Sequence, residues 1–234
     1  MAMSLGLFST CIGLYFWIGD NRKLSLFAFF CALMGGVGSI LSASRGGWIG
    51  LPFVLFITLY IYRHKLSKFF IPSLFSITSI FIIFASLVNI GGVSDRMKIA
   101  KISIEQYINN ENVSTSIGVR LDMWKASWIA IQEKPILGWG KQGMYDKKQE
   151  LASKQEISKL ASTFIHNHNQ FIDATAKKGL VGLVSLLLVF IIPLRFFISN
   201  LKLENINLLC FSCLGIIHVI SVMFYCFSQD FLWS

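Results

Sequence analysis

Six apolar stretches set the limits of what this chain can be. They run near Met1–Ile18, Leu24–Leu41, Trp48–Tyr62, Phe69–Ile90, Leu180–Phe197 and Ile206–Phe227. Each approaches the ~20 residues that a helix needs to cross the hydrocarbon core of a bilayer. Inside lipid every backbone N–H and C=O must be satisfied within the segment, which selects helices for such runs. The whole chain agrees. Of its 234 residues 54% are hydrophobic, 21 are Phe and only 14% are charged, against ~25% charged in an average soluble domain. A water-soluble globule of this size cannot hide so much apolar surface. A disordered chain, a disulfide scaffold and an ordinary cytosolic enzyme are excluded. The expected fold is an all-α integral membrane protein of about six transmembrane helices.

Charge placement orients it. There are 21 basic and 12 acidic residues, a net charge of +9. Arg22 and Lys23 follow the first stretch, Arg63, Lys65 and Lys68 the third, and Arg195 and Lys202 flank the turn after the fifth. The positive-inside bias makes these the cytoplasmic loops. The turn bearing Arg45 then faces outward, as does the N-terminus. Strict alternation also places the long segment Gly92–Lys178 outside, with its thirteen basic and nine acidic residues. The expected organisation is residues 1–91 as transmembrane helices one to four, 92–178 as a partly helical outer loop, and 179–234 as helices five and six. No compact basic stripe stands apart from the apolar runs, so nucleic acid is not an expected partner. Cys11, Cys31, Cys210, Cys213 and Cys226 all lie in apolar stretches. The Cys210-x-x-Cys213 pair could suggest redox or metal chemistry, but small buried apolar side chains explain it better. The sequon Asn112-Val113-Ser114 needs a glycosylating compartment that nothing else in the chain supports.

The outer segment carries the remaining signals. Ser94–Gln106 mixes charge with Ile and Met, and Tyr107–Ser116 reads as a flexible connection. Val119–Gln132 shows helical spacing, with Leu121, Trp124, Trp128 and Ile131 on one stripe. That stripe either lies at the membrane interface or packs on the transmembrane bundle. Lys134-Pro135 ends the helix, and Gly138-Trp139-Gly140 follows as a tight turn. Lys141–Lys159 is strongly charged, a solvated face or a mobile lid. Ala161–Lys178 returns to helical spacing with Phe164, His168, Phe171, Ile172 and Thr175 on one side. On such a helix His166 projects about 200° away from His168.

Three groups converge on the outer side: Arg45 at the mouth of spans two and three, Arg120 at the start of the stripe helix, and His168 ahead of the fifth span. Arginine's planar fork suits diphosphate oxygens, and histidine can take a proton from a hydroxyl near neutral pH. Each also has a plainer explanation. Arg45 could be a snorkelling anchor, Arg120 a solvated helix residue, and His168 a helix-packing histidine. His64 sits in a cytoplasmic basic cluster. His218, within span six, reads as a neutral histidine bonded to a neighbouring helix, although an intramembrane ionisable group is a functional candidate by default. No metal-ligand cluster, D-x-D pair, P-loop, G-x-S-x-G or H-E-x-x-H is present.

The motifs resemble a known family. His168-Asn169, nine residues, then Gly179-Leu180-Val181-Gly182 is similar to the H-[NSQ]-x9-G-x-x-G pattern of O-antigen ligases. Ser42-Ala43-Ser44-Arg45-Gly46-Gly47-Trp48 resembles that family's S-R-G segment. Arg120-x3-Trp124 with Pro135-x-x-Gly138-x-Gly140 resembles its R-x3-W … P-x-x-G-x-G run. The three come in the family's order across residues 42–182. The resemblance implies a multi-span glycosyltransferase, similar to the GT-C type, in the bacterial inner membrane with its site facing the periplasm. It implies no metal and no cofactor. The donor would be an undecaprenyl-diphosphate-linked glycan, and the acceptor the lipid A–core of lipopolysaccharide. O-antigen polymerases and protein O-oligosaccharyltransferases share the donor and differ in the acceptor. His168 would be the general base, and Arg45 and Arg120 would hold the diphosphate and stabilise its departing charge. His166, Asn169, Trp124, Gly138 and Gly140 would support them. Family chains carry more spans on both sides of these motifs, so a truncated form is expected. A transporter or channel subunit is the alternative from another class; it predicts inverted repeats or broken, charged mid-membrane helices, and it leaves His168 unexplained.

Overall fold

The computed structural model describes residues 2–41, 50–67, 93–109 and 115–227. The Arg45 segment Ser42–Trp48, the apolar stretch Phe69–Ile90 and the sequon at Asn112 lie outside the described residues. All regular structure among the described residues is helical: α1 (Ala2–Ile18), α2 (Arg22–Leu41), α3 (Gly50–Tyr62), α4 (Val93–Ile108), α5 (Ser116–Glu133), α6 (Gly140–Ser153), α7 (Lys159–Ser162), α8 (Gln170–Ser199) and α9 (Ile206–Cys226). Among the described residues two helices, α8 and α9, are long and apolar enough to cross a membrane, while Ser4–Ile18 and Pro52–Tyr62 are shorter apolar helices. The chain divides into two compact units. One comprises Met1–Val88 with Phe190–Tyr225, the other Asn89–Val189 with Cys226–Ser234.

The first unit is built on an α1–α2 hairpin. Helix α1 ends where Asp20 takes a left-handed φ of 58°, a conformation that Asp and Asn tolerate better than most residues. The Asn21 side chain then accepts the Leu24 backbone N–H at 3.3 Å and starts α2. Small residues let the two helices meet closely. A side chain at Gly13 would strike the Phe29 ring, at 2.8 Å, and the Ser25 hydroxyl donates to the Gly13 carbonyl at 2.9 Å. Helices α1, α3 and α9 share a core of Cys11, Leu14, Val54, Tyr62, Leu209, Cys213 and Ile217. Cys11, Cys210 and Cys213 are buried free thiols that pack as small side chains. His218 lies beside the Phe8 ring, with centroids 6.1 Å apart.

The second unit holds α4 to α7 and the first part of α8; it decides which face of α5 is buried and departs from the sequence expectation in two further places. Helix α5 forms, but its buried face is Gly118, Val119, Met123, Ala126 and Ala130. The bulky stripe lies on the other side, with Trp128 63% exposed. Glycine and alanine score weakly as apolar residues, yet they permit the closest approach. The run Lys141–Lys159 is neither a free lid nor wholly solvated. It forms α6, with Met144, Leu151, Lys147 and Lys148 buried. The two lysines can be buried because their ammonium groups are paired. Lys147 meets Glu133 at 2.8 Å, and Lys148 donates to the Phe164 carbonyl at 3.0 Å. Glu133 beside it raises the Lys147 pKa above the usual lysine value. Finally, Ala161–Lys178 is not one helix. Helix α7 stops at Ser162, residues 163–169 form a loop, and α8 begins at Gln170.

Candidate functional site

The loop at 163–169 presents the histidines. Its far end is set by Asn169, whose side-chain oxygen accepts the backbone N–H groups of Phe171 at 3.0 Å and Ile172 at 3.2 Å. This is an N-cap, and it satisfies donors that the first turn of α8 leaves open. The preceding residue, His168, has φ 51°, which is costly for a residue with a Cβ and is retained where the surroundings impose it. The loop geometry reverses the expected placement of the two histidines. The His166 and His168 rings lie edge to face with centroids 4.6 Å apart, because the backbone between them is not helical. Phe164 stands 6.2 Å from both rings.

Three side chains from other helices or from α8 hold this loop. Trp124 of α5 donates its indole N–H to the Asn167 carbonyl at 2.8 Å. Lys148 of α6 reaches the Phe164 carbonyl. Asp173 of α8 accepts the Asn167 side-chain amide at 2.9 Å and pairs with Lys177 at 2.7 Å. Asn167, Lys148 and Asp173 are all buried.

His168 sits half-buried over this support. Its Nδ1 is buried and meets no hydrogen-bond partner among the described residues. Burial pushes its pKa below the ordinary histidine value, and the positive charges of Arg120, His166 and Lys148 push in the same direction. The imidazole is therefore neutral near pH 7 and able to accept a proton. Arg120, on the first turns of α5, is the arginine whose charge acts on His168. The arrangement places a neutral base beside a cation, which suits an acceptor hydroxyl approaching an anionic leaving group. Among the described residues no group of three or more His, Cys, Asp or Glu is placed to hold a metal ion.

Trp124 has a second role. With Trp128 and Ile131 of α5 and Phe171, Ile172 and Leu183 of α8 it lines an open groove of about 540 Å³, bordered by Lys125 and Thr175. The bulky stripe read from the sequence is thus one wall of a groove rather than a packed face.

The two glycine motifs form one clasp. Pro135 and Ile136 carbonyls accept the Leu180 and Val181 backbone N–H groups at 2.8 and 3.4 Å, and the Trp139 N–H donates to the Ala176 carbonyl at 3.1 Å. These bonds bridge a break in α8 at Gly179, where φ is 64° and ψ −160°. Gly138 packs against the backbone of residues 177–179, and a Cβ there would fall 2.5 Å from the Lys177 carbonyl carbon. Gly140, also at positive φ, faces open space. The Trp139 indole N–H bonds the Ala130 carbonyl at 2.9 Å, and the Lys134 ammonium lies 3.8 Å from its ring centroid, so the clasp is tied back to the end of α5.

The structure thus gathers His168, His166, Asn169, Trp124 and Arg120 around one loop, and sets Gly138 in the clasp with Gly179. Arg45 lies outside the described residues. The sequence alone does not single out Asn167, Lys148 or Lys177. The i,i+4 spacing of Asp173 and Lys177 in the first turns of α8 is the signal the sequence offers.

Two comparisons with known proteins bear on the chain's family. Residues 28–187 match the family described as O-antigen ligase. A Haemophilus influenzae protein described as uncharacterized is 38% identical over 232 residues, which is 99% of this chain and 58% of that relative. The chain therefore spans less than two thirds of that relative's length.

Proposed function

The chain belongs to the O-antigen ligase family, and from that premise we propose that it transfers a glycan from a polyprenyl-diphosphate donor to the lipid A–core of lipopolysaccharide. The observation that carries this reading is His168: a neutral imidazole on an imposed left-handed backbone, with the Arg120 charge acting on it. In the proposed reaction His168 takes the proton of the acceptor hydroxyl as that oxygen attacks the anomeric carbon. The bond from that carbon to the diphosphate breaks, and the diphosphate leaves with the electron pair. Arg120, together with Arg45, stabilises the charge that develops on it. In this proposal the site faces the periplasm and the chain crosses the inner membrane several times. No step calls on a metal.

The groove supports a lipid-linked substrate. Leu183 belongs to α8, one of the two helices apolar enough to span a membrane, and its neighbours Leu180, Val181 and Val184 are more than half exposed. An apolar groove between α5 and α8, with Phe171 and Ile172 just after the histidine loop in its wall, suits the hydrocarbon part of a lipid donor. Trp128→Ala is expected to raise the donor KM about five- to tenfold while kcat changes less than twofold. Its side chain is mostly exposed, so the thermal midpoint should stay within a few degrees. Steady-state kinetics with the donor in liposomes measures this, and an unchanged KM would remove the groove from the substrate path.

The acceptor is tested directly. Full-length protein in proteoliposomes is given a labelled polyprenyl-diphosphate glycan and, separately, lipid A–core, a second lipid-linked glycan, or a serine-rich acceptor protein. Label on lipid A–core is the expected result. Label on the lipid-linked glycan alone would make the protein a polymerase, and label on the protein alone an oligosaccharyltransferase.

A further inference from the structure

Asp173 is an acidic side chain that is only 2% exposed. Each of its carboxylate oxygens has a partner. One is the Lys177 ammonium at 2.7 Å on its own helix. The other is the Asn167 amide at 2.9 Å, on the residue immediately before His168. Asn167 is fully buried, and its carbonyl receives the Trp124 indole at 2.8 Å. The peptide leading into His168 is thereby held on its side-chain end by Asp173 and on its carbonyl end by Trp124. On the other side of His168, Asn169 is committed to capping α8. His168 thus lies between two anchored asparagines, at a φ of 51° that a free loop would relax.

We propose that Asp173 is a positioning residue: through Asn167 it fixes the backbone that presents His168, while Lys177 holds the carboxylate's other oxygen. This rests on the reading of His168 as the base. Buried charge is a poor way to add stability, because desolvation offsets most of the attraction. It is a good way to hold one geometry, because a satisfied buried network has few alternatives. A displacement of about 1 Å at a reacting group costs on the order of 10²-fold in rate, so a loop bearing a base gains from such a brace.

The test uses full-length protein in proteoliposomes, the labelled polyprenyl-diphosphate glycan and lipid A–core. Two variants are made. Asn167→Leu cuts the amide link and leaves the Asp173–Lys177 pair intact. Asp173→Asn with Lys177→Gln removes both charges together, so that neither is left buried alone. For each, kcat should fall about tenfold or more while the donor KM stays within twofold. Modification of His168 by diethyl pyrocarbonate, followed by peptide mass spectrometry, should become several-fold faster. In a His168→Ala background Asn167→Leu should cause no further loss of the residual turnover. The proposal is overturned if Asn167→Leu keeps wild-type kcat and wild-type His168 labelling. It is equally overturned if the variant loses turnover by the same factor with and without His168, since that is a general loss of fold. The underlying reading fails separately: if His168→Ala alone keeps full turnover while Asn167→Leu still exposes His168 to the reagent, His168 is positioned by this brace but is not the base.

Discussion

Replacing His168 by alanine is expected to lower the rate of glycan transfer by about 10²- to 10⁴-fold, the usual contribution of a positioned general base. Donor binding should change little, because the proposed contacts to the diphosphate come from arginines and not from the imidazole. The loss should therefore appear in kcat, which marks an interaction made chiefly in the transition state. The pH profile gives a second reading of the same group. Burial and the neighbouring charges of Arg120, His166 and Lys148 hold the His168 pKa below its ordinary value. A base works unprotonated, so activity persists as pH falls through ~6.5, the ordinary histidine value, and drops only below it. Arg120→Gln removes one of the charges that disfavour the imidazolium. Its acid limb should move to higher pH, toward the ordinary value, and only part of the way, since burial is the larger cause. If the acid limb of the wild-type protein lies above that value, or stays fixed when Arg120 is removed, the titrating group is not His168.

These expectations depend on features that the sequence revealed unevenly. The H-N-x9-G-x-x-G spacing located His168, Asn169 and Gly179 without any structure, because each is tied to a local backbone event: a left-handed residue, an N-cap and a helix break. The orientation of His166 was not legible. Phe164, His168, Phe171, Ile172 and Thr175 recur at helical intervals, and periodicity cannot register that the chain is a loop until Gln170. Asn169 was the available warning, as a preferred N-cap type standing directly before an apolar run. The sequence left the bulky stripe of α5 to either the membrane interface or a packed face, and did not point to the face that is buried. Trp124 and Trp128 dominate any hydrophobic count, whereas Gly118, Ala126 and Ala130 do the close packing and leave the large rings to the groove. Lys148 was invisible because its carbonyl partner, Phe164, is supplied by tertiary structure. The apolar stretches were the most legible. Helices stand at each of the five that fall among the described residues, and two of them, α8 and α9, are long and apolar enough to cross a membrane.

Gly179→Ala should be the most damaging substitution for the fold. At φ 64° and ψ −160° the backbone lies in a region that is essentially closed to residues with a Cβ, at a cost of about 1–3 kcal/mol. Space is also lacking. The added carbon would sit 2.0 Å from the Ile136 carbonyl oxygen, a backbone atom within the clasp that cannot swing aside as a side chain tip would. Relieving the overlap means parting Pro135 and Ile136 from Leu180 and Val181, and so giving up the two backbone hydrogen bonds that bridge the break. Overpacking alone costs about 1–3 kcal/mol, so the combined effect is at least ~3 kcal/mol, a large part of the ~5–15 kcal/mol that holds a typical domain. Gly140→Ala is the internal control. It has a comparable φ of 72°, but nothing lies within 4 Å of the new carbon, so only the left-handed penalty of about 1–2 kcal/mol applies. Thermal unfolding in detergent, followed by limited trypsin digestion, should rank wild type above Gly140→Ala and both well above Gly179→Ala. Equal midpoints for the two variants would mean that Pro135–Gly140 does not clasp the α8 break. The glycines of the two motifs would then owe their presence to something other than this contact.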